Sequence, residues 1–431
     1  GYSALRYLLA QGYAVRVMDT REIAPNASEI KTLLPATAVH FGGLQQEWLE
    51  QSDVIVLSPG LSPQEPAIAE AVAKGVTLIG DIELFAQVCT KPYIAITGSN
   101  GKSTVTTLVT ELLRSQGIKA YMGGNIGTPA LDLLQQKDAE LYVLELSSFQ
   151  LETCPSLAPV AATVLNISDD HMDRHSSLAR YSEVKDRIYH KAAYGVYAED
   201  YPLQPQVHQK GIVRFGVTQQ EGTEFSIELH DQQRCLVQMG ERLIAADELT
   251  LPGAMGELNV LAALALVQPY IKDKMAMLAV LRSFEGLPHR CQSVAKHADV
   301  LWVNDSKGTN PGATMAAIKS FDRGMVLILG GVHKGGAIDE LVELIRHRVH
   351  SVVLFGRDAA VFAQALKDHA CYPASDLATA VTLSAKHSRA GDVVLFSPAC
   401  ASFDMFDNYQ QRGDSFVQLV RKQIMGGQHA V

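Results

Sequence analysis

Short apolar, β-branched runs alternate with stretches of helical periodicity almost from end to end of this chain. The runs "AVRVMD" (14–19), "DVIVLSPG" (53–60), "LYVLEL" (141–146) and "VAATVLNI" (160–167) are strand-length and end at turn residues. The pattern returns at "VLWVND" (300–305), "MVLILGG" (325–331), "SVVLFG" (351–356) and "DVVLFSP" (392–398), each followed by helix-compatible sequence. Such alternation predicts an α/β protein of mostly parallel sheets with helices on their faces. Three sections separate: 1–80, 81–286 and 287–431. The second includes an irregular, strand-like patch at 211–245. The last boundary rests on "FEGLPHR", where Gly286 and Pro288 interrupt a helical pattern. The first section begins at Gly1 with a helical pattern, "YSALRYLLAQG", and then a strand ending at Asp19. That is the later part of a βαβ nucleotide-binding unit, whose first strand is expected before residue 1.

Composition narrows the class without deciding the function. With 47% apolar and 19% charged residues over 431 positions, the chain reads as two or three globular domains. Net charge is −9 with no basic block, so nucleic acid is not an expected partner. No apolar run approaches the roughly 18 residues of a membrane span, and the longest, "NVLAALALV" (259–267), fits a buried helix. The N-terminal stretch lacks the features of a signal peptide. Six scattered cysteines without a C-x-x-C pair suggest neither a disulfide framework nor zinc, and a reducing, cytoplasmic setting.

The densest chemistry lies in "AITGSNGKSTVTTL" (95–108). A phosphate loop of the form G-x-x-x-x-G-K-[ST] would place its first glycine at Ile96; the nearest is Gly98. Even so, a strand runs into Gly98, Asn100 and Gly101, then Lys102, Ser103 and Thr104 open a helix. Backbone N–H groups and a helix N-terminus in that order suit phosphate, with Lys102 reaching it and Ser103 offering a hydroxyl to Mg²⁺. Glu145, ending a strand in "LELSSFQLE" (144–152), is either a metal ligand or a surface glutamate. "NISDDHMDRH" (166–175) gathers Asp169, Asp170, His171, Asp173 and His175, either as divalent-cation ligands or as an acidic turn. Lys185 lies in a helical pattern and, as an ammonium, cannot bind Mg²⁺; by itself it reads as a solvated helix lysine. Further candidates sit in loops after the C-terminal strands: Asp305, Lys307 and Thr309 in "VNDSKGTN", Lys334 in "GGVHKGG", and "SPACASFDMFDNYQQRG" (397–413). Arg290 in "LPHR" is a candidate clamp for a γ-phosphate.

In order along the chain, "VMDTR", "GDIELF", "AITGSNGKSTVTTL", "GGNIG", "YVLELSSFQLE", "DDHMDRH", "LPHR", "NDSKGTN" and "SPACASFD" resemble the Mur ligases. The resemblance spans residue 17 to about 413. It implies three domains: an N-terminal Rossmann-like unit, here without its first strand, a central P-loop ATPase-like unit and a C-terminal Rossmann-like unit. It further implies a cytoplasmic ligase of peptidoglycan precursor synthesis, taken as a monomer. Its substrates would be ATP, UDP-N-acetylmuramoyl-L-alanine and D-glutamate, joined through an acyl phosphate with two Mg²⁺ sites. By matching position, Gly98, Asn100, Gly101, Lys102, Ser103, Thr104, Asn259, Arg290 and Asp305 would bind ATP. Ser103, Glu145, His171 and a carbamylated Lys185 would serve the metals. Lys102, His171, Lys185 and Arg290 would be catalytic. Asp19, Thr20, Arg21, Ser58, Pro59, Gly60, Asn125, Ser147 and Gln150 would face the UDP substrate, and Lys307, Thr309, Lys334, Ser402 and Tyr409 the D-glutamate. Two departures stand out: "GGVHKGG" lacks a glycine-aspartate form, and Tyr409 carries a hydroxyl where an aromatic is expected. On the residues alone, a ligase with another acceptor, such as a folylpolyglutamate synthase, or a nucleotide-binding sensor without turnover, stays open.

Overall fold

The strands assemble into three regions in the computed structural model, which describes residues 1–168, 170–201, 210–217, 222–335, 337–424 and 426. The N-terminal region holds two separate parallel pairs, β1 (Val17–Asp19) with β2 (Val39–Phe41), and β3 (Val54–Leu57) with β4 (Thr77–Gly80). The runs at 14–19 and 53–60 thus shorten to three and four residues.

The central sheet orders nine strands from edge to edge. They are β5 (Tyr93–Thr97), β6 (Ala120–Gly124), β7 (Leu141–Glu145), β8 (Ala161–Val164), β9 (Tyr194–Ala198), β10 (Gly211–Phe215), β11 (Phe225–His230), β12 (Gln233–Gln238) and β13 (Glu241–Ala245). Their spatial order is β13-β12-β11-β10-β9-β8-β5-β7-β6. All pairings from β6 to β11 are parallel, and β12 and β13 add an antiparallel end built from the patch at 211–245. Strand β5 lies inside the sheet between β7 and β8, so every one of its residues is buried. Strands buried on both faces carry unbroken apolar runs, which is why "YIAI" shows no polar alternation. The helix Gly253–Val267 is apolar beyond Glu257 and Asn259 and packs against one face with Val105, Leu108 and Leu112 of the helix Lys102–Ser115. Each such fully buried aliphatic side chain contributes about 1.5–3 kcal/mol.

The C-terminal sheet follows the order β14-β15-β19-β16-β17-β18, with β14 (Gln292–His297), β15 (Val300–Asn304), β16 (Met325–Gly330), β17 (Ser351–Phe355), β18 (Cys371–Pro373) and β19 (Val393–Phe396). Only β14 runs antiparallel. Apolar clusters cover both faces, one around Leu327, Leu341 and Ile345, the other around Trp302, Phe396 and Phe416. Loops leaving the C-terminal ends of parallel strands are where open α/β sheets hold ligands, and the motifs after β5, β7, β8, β15, β16 and β19 emerge there, whereas Arg290 precedes β14 and Lys185 and Asn259 lie on helices.

Candidate active site

The loop after β5 is fixed by backbone geometry before any side chain acts. Gly98 and Gly101 take φ of 150° and 84°, and a Cβ at Gly101 would lie 2.5 Å from Asn259 Oδ1. Asn259, on the helix Gly253–Val267, therefore sits directly on the loop, and only glycine fits beneath it. The loop is zipped to the segment after β8. Asn100 N donates to Asn166 Oδ1 at 2.9 Å, and Asn166 Nδ2 returns to Asn100 O at 3.0 Å. Ser99 Oγ accepts from Ser168 N at 2.9 Å. Asn166 was not singled out from sequence, though it opens the quoted stretch "NISDDHMDRH".

Three groups converge at the mouth of this loop. Ser103 Oγ donates to Glu145 Oε2 at 2.6 Å, and Asn125 Nδ2 donates to Glu145 Oε1 at 2.8 Å. Glu145 is 2% exposed, which removes the surface-glutamate alternative. Lys102 folds back to donate to the carbonyls of Gly98 and Ser99 at 2.8 and 3.0 Å. Thr104 is buried within the same helix.

Lys185 departs most from its sequence reading as a solvated helix lysine. It lies on the helix Leu178–Asp186 but is 1% exposed, donating to Thr97 Oγ1 at 3.2 Å and to Gly98 O at 3.0 Å. Helical periodicity places a residue on a face, while the neighbours of that face decide whether it meets water. Burial drives its pKa well below the ordinary lysine value, Lys102 pushes the same way, and Asp170 and Glu145 oppose. Lys102 is lowered too, by burial first, with Glu145 raising and Arg290 lowering it. A buried amine with a depressed pKa is available in its neutral, nucleophilic form.

The acidic stretch after β8 separates into different roles. His171 adopts φ of 58°, packs on Phe149 with ring centroids 4.9 Å apart, and lies 3.6 Å from Asp170. His175, grouped with it as a cation ligand, is instead 2% exposed, 3.0 Å from Ser148 Oγ and stacked on Phe149. One helical turn carries the ring inward, where its Nδ1 lies 3.6 Å from Glu152 Oε1. Asp169 lies outside the described residues, as does the side chain of Asp173. Among the described residues no three His, Cys, Asp or Glu side chains cluster as a metal cage. Mg²⁺ needs only one or two protein carboxylates beside phosphate oxygens and water, so the pairing of Ser103 with Glu145 fits it.

Across from this loop stand the C-terminal strand ends. Asp305 is buried, accepting from Ser397 Oγ at 2.7 Å and from Cys291 N at 3.2 Å; burial pushes its pKa up to about 6. Both of its oxygens are thus engaged within the fold. Arg290 is half-buried, and its guanidinium has no hydrogen bond among the described residues. Lys307 Nζ sits 4.3 Å from the centre of the Tyr409 ring. Its pKa is lowered by burial, then by Arg290 and Lys334. Arg290 and Lys307 also act on Lys102. Cations from two sheets therefore share one electrostatic neighbourhood. Thr309 is half-buried beside Lys307, Lys334 is exposed, and Ser402 is buried with its carbonyl accepting from Met405 and Phe406.

The scaffold of that second half was missed from sequence. Arg412 is 1% exposed and donates to Ser306 Oγ, Ser306 O and Cys400 O at 3.0, 2.8 and 3.0 Å. It ties the helix Tyr409–Gln423 to two of the loops, and burial lowers its pKa to about 10. His289 Nδ1 lies 3.1 Å from Asn304 Nδ2, anchoring the segment that presents Arg290. Both residues stand inside quoted motifs, but a polar residue in a loop motif does not announce that it will be buried.

The N-terminal candidates gather apart from these. Asp19 accepts from Arg21 N, Nε and Nη2 at 2.9, 2.8 and 2.8 Å, with exposed Thr20 between them. The Arg21 hydrogen bond, opposed by burial, holds the Asp19 carboxyl below its usual value. Ser58 O accepts from Leu61 N at 3.0 Å, making a turn through Pro59 and Gly60. Ser147 and Gln150 form a capping box on the short helix Ser148–Leu151, and Gln150 Nε2 reaches Asp81 Oδ2 at 3.4 Å. Their side chains are committed to these local contacts.

Comparison with known proteins matches this arrangement. Residues 1–80 match the Mur ligase MurD-like N-terminal domain, 96–267 the Mur ligase middle domain and 289–400 the Mur ligase glutamate ligase domain. A protein from Pseudoalteromonas translucida (strain TAC 125), named UDP-N-acetylmuramoylalanine--D-glutamate ligase, is 42% identical over 428 residues, covering 97% of this chain and 94% of that protein. One of the same name from Marinobacter nauticus (strain ATCC 700491 / DSM 11845 / VT8) is 45% identical, covering 97% and 95%. The crystal structure of MurF ligase from Thermotoga maritima in complex with ADP aligns with a TM-score of 0.59 at 19% identity, covering 89% of this chain and 98% of that one. At that identity it speaks for the fold.

Proposed function

This chain belongs to the Mur ligase family, and from that premise we propose that it joins D-glutamate to UDP-N-acetylmuramoyl-L-alanine at the expense of ATP. The observation that carries the reading is the glycine loop at Gly98 and Gly101, where Ser103 Oγ donates to the buried Glu145 within electrostatic reach of Arg290 and Lys307. Glu145 and Asp170 offset part of the positive charge around Lys102, and a polyanion bound among these cations relieves the remaining repulsion. Two anionic substrates beside a triphosphate are such a partner.

A carboxylate does not yield to an amine until one of its oxygens becomes a leaving group. In the proposed reaction the terminal carboxylate oxygen of the UDP substrate takes the γ-phosphoryl group and ADP departs. The amine of D-glutamate then forms the C–N bond, the C–O bond to phosphate breaks, and the amine proton leaves with solvent or a base. Lys102 and those N–H groups of the 98–104 loop and helix start that are free among the described residues hold the phosphates, with Asn100 locking the loop through Asn166, and Arg290 meets the charge developing on the transferred group. Mg²⁺, when bound, neutralises phosphate charge; Ser103 and Glu145 would hold one ion, and His171 with a carbamylated Lys185 a second. The depressed pKa of Lys185 supports that assignment, because only a neutral amine adds to CO₂. Asn259 and Asp305 are assigned to the nucleoside, and Lys307, Thr309, Lys334, Ser402 and Tyr409 to D-glutamate. Asp19, Thr20, Arg21, the turn at Ser58–Gly60, Asn125, Ser147 and Gln150 are assigned to the UDP substrate. The units that carry these roles are proposed as 1–80, 81–286 and 287–431. No helix among the described residues is long and apolar enough to cross a membrane. A cytoplasmic, monomeric enzyme completes the proposal, and six free cysteines accord with a reducing setting.

The test is phosphate release from ATP with each substrate omitted in turn. Release is expected only when the UDP substrate and D-glutamate are both present; hydrolysis indifferent to both overturns the reading. Substituting other amino acids and acceptors checks the substrate class.

A further inference from the structure

Within "DDHMDRH" one residue has no part in the chemistry above, yet it crosses from the central sheet to the N-terminal region. Arg174 Nη2 donates to Glu152 Oε2 at 2.7 Å and to the carbonyl of Leu61 at 3.0 Å. Its guanidinium lies 4.9 Å from the centre of the Phe149 ring. The side chains of Arg174 and Glu152 are only 15% and 14% exposed, so this is a shielded contact rather than a surface ion pair. Arg187 Nη1 donates to the carbonyl of Glu152 at 2.9 Å and fixes the acid from behind. Leu61 closes the turn that begins at Ser58. The other face of the contact is Phe149, on which His171 packs. Arg174 stands three residues from His171 in one short helical turn, Met172–His175.

We propose that Arg174 is a positioning residue that holds the 58–61 turn and the His171 ring in register, so that seating of the UDP substrate and placement of its carboxylate are set together. The proposal rests on the assignment above of the 58–60 turn to the UDP substrate. Arginine suits the task because its planar fork stacks on Phe149 while its N–H groups serve a carboxylate and a carbonyl. A lysine ammonium can keep the Glu152 pair but cannot stack and bridge in the same way.

The experiment compares the wild-type chain with Arg174→Lys, Arg174→Met and Glu152→Gln. It measures kcat, the KM of each of the three substrates, thermal stability, and amide hydrogen exchange across residues 58–65 without ligands. Arg174→Lys is expected to keep its thermal stability yet raise the KM for the UDP substrate about tenfold, the scale of lost outer-shell support. The KM for ATP should stay within about twofold, and exchange across 58–65 should quicken. Arg174→Met should show the same pattern more strongly, and Glu152→Gln more weakly. An unchanged KM for the UDP substrate in Arg174→Lys overturns the proposal, as do parallel changes in every constant with lost stability. If the wild-type chain makes no amide from D-glutamate, the functional reading fails by itself. The exchange arm still decides the strap, since unchanged exchange in both Arg174 variants sinks it.

Discussion

The two halves of the candidate site treat positive charge in opposite ways. On the central sheet, Lys102 and Lys185 are both turned onto the loop's own backbone, and both donate to the carbonyl of Gly98. On the C-terminal sheet, Arg290 and Lys307 have no hydrogen-bonded acid among the described residues, while the deeply buried Arg412 serves only as scaffold. A loop that satisfies its own cations keeps its shape without ligand, and phosphate must displace those contacts. Unpaired cations on the facing sheet hold little shape by themselves and favour whatever anion brings the sheets together. On the function proposed above, the central half would bind the phosphates and the C-terminal half would complete the site around bound charge.

This contrast can be broken most forcefully at Lys102. Lys102→Ala should cut amide formation about a thousandfold, as loss of a central charge-stabilising group does, with little change in the KM for D-glutamate. A loss confined to that KM, with kcat kept, would erase the distinction between the halves. Arg412→Met should destabilise the C-terminal region by about 3 kcal/mol, because Ser306 and Cys400 lose buried partners. Chemical denaturation should register that loss while the central region unfolds as before. Lys185→Ala should lower turnover about a hundredfold. Added bicarbonate should not restore it, whereas a short carboxylic acid occupying the vacated space should restore part. Wild-type turnover in that variant would remove the carbamate from the proposal. Lys307→Met should raise the KM for D-glutamate about tenfold, the cost of one charge-assisted contact, and leave that for ATP alone.

A separate expected effect is on pH dependence and concerns Asp305. Its folded pKa of about 6 lies above the ordinary 3.8, so the folded state holds its proton more tightly than the unfolded chain. The stability this contributes is full below about 3.8 and is lost as pH rises through about 6. Asp305→Asn should flatten that decline, which for a rise from 3.8 to about 6 amounts to about 3 kcal/mol, in thermal unfolding followed across the window. An unaltered slope would show that the Ser397 and Cys291 contacts offset the burial.

Much of the fold was legible because local chemistry dictates it. Apolar runs such as "YIAI" and "MVLIL" became interior parallel strands, and Gly98 and Gly101 became the left-handed positions of a loop. The chain by itself determined its strand–helix alternation, the phosphate loop shorter than the usual form, and the motifs that mark the Mur ligase family. Periodicity and φ preferences act within a few residues, so they survive in a one-dimensional reading. Tertiary structure alone decided which polar residues are buried and what they touch. Lys185 reaches Thr97 across 88 positions, and Arg412 reaches Ser306 across 106. Nothing near Lys185 in sequence distinguishes it from a solvated helix lysine, and nothing near His175 sets it apart from His171. Burial belongs to the packed assembly of distant segments, and with it come the depressed pKa of Lys185, the raised pKa of Asp305 and the bridge that Arg174 makes to Leu61.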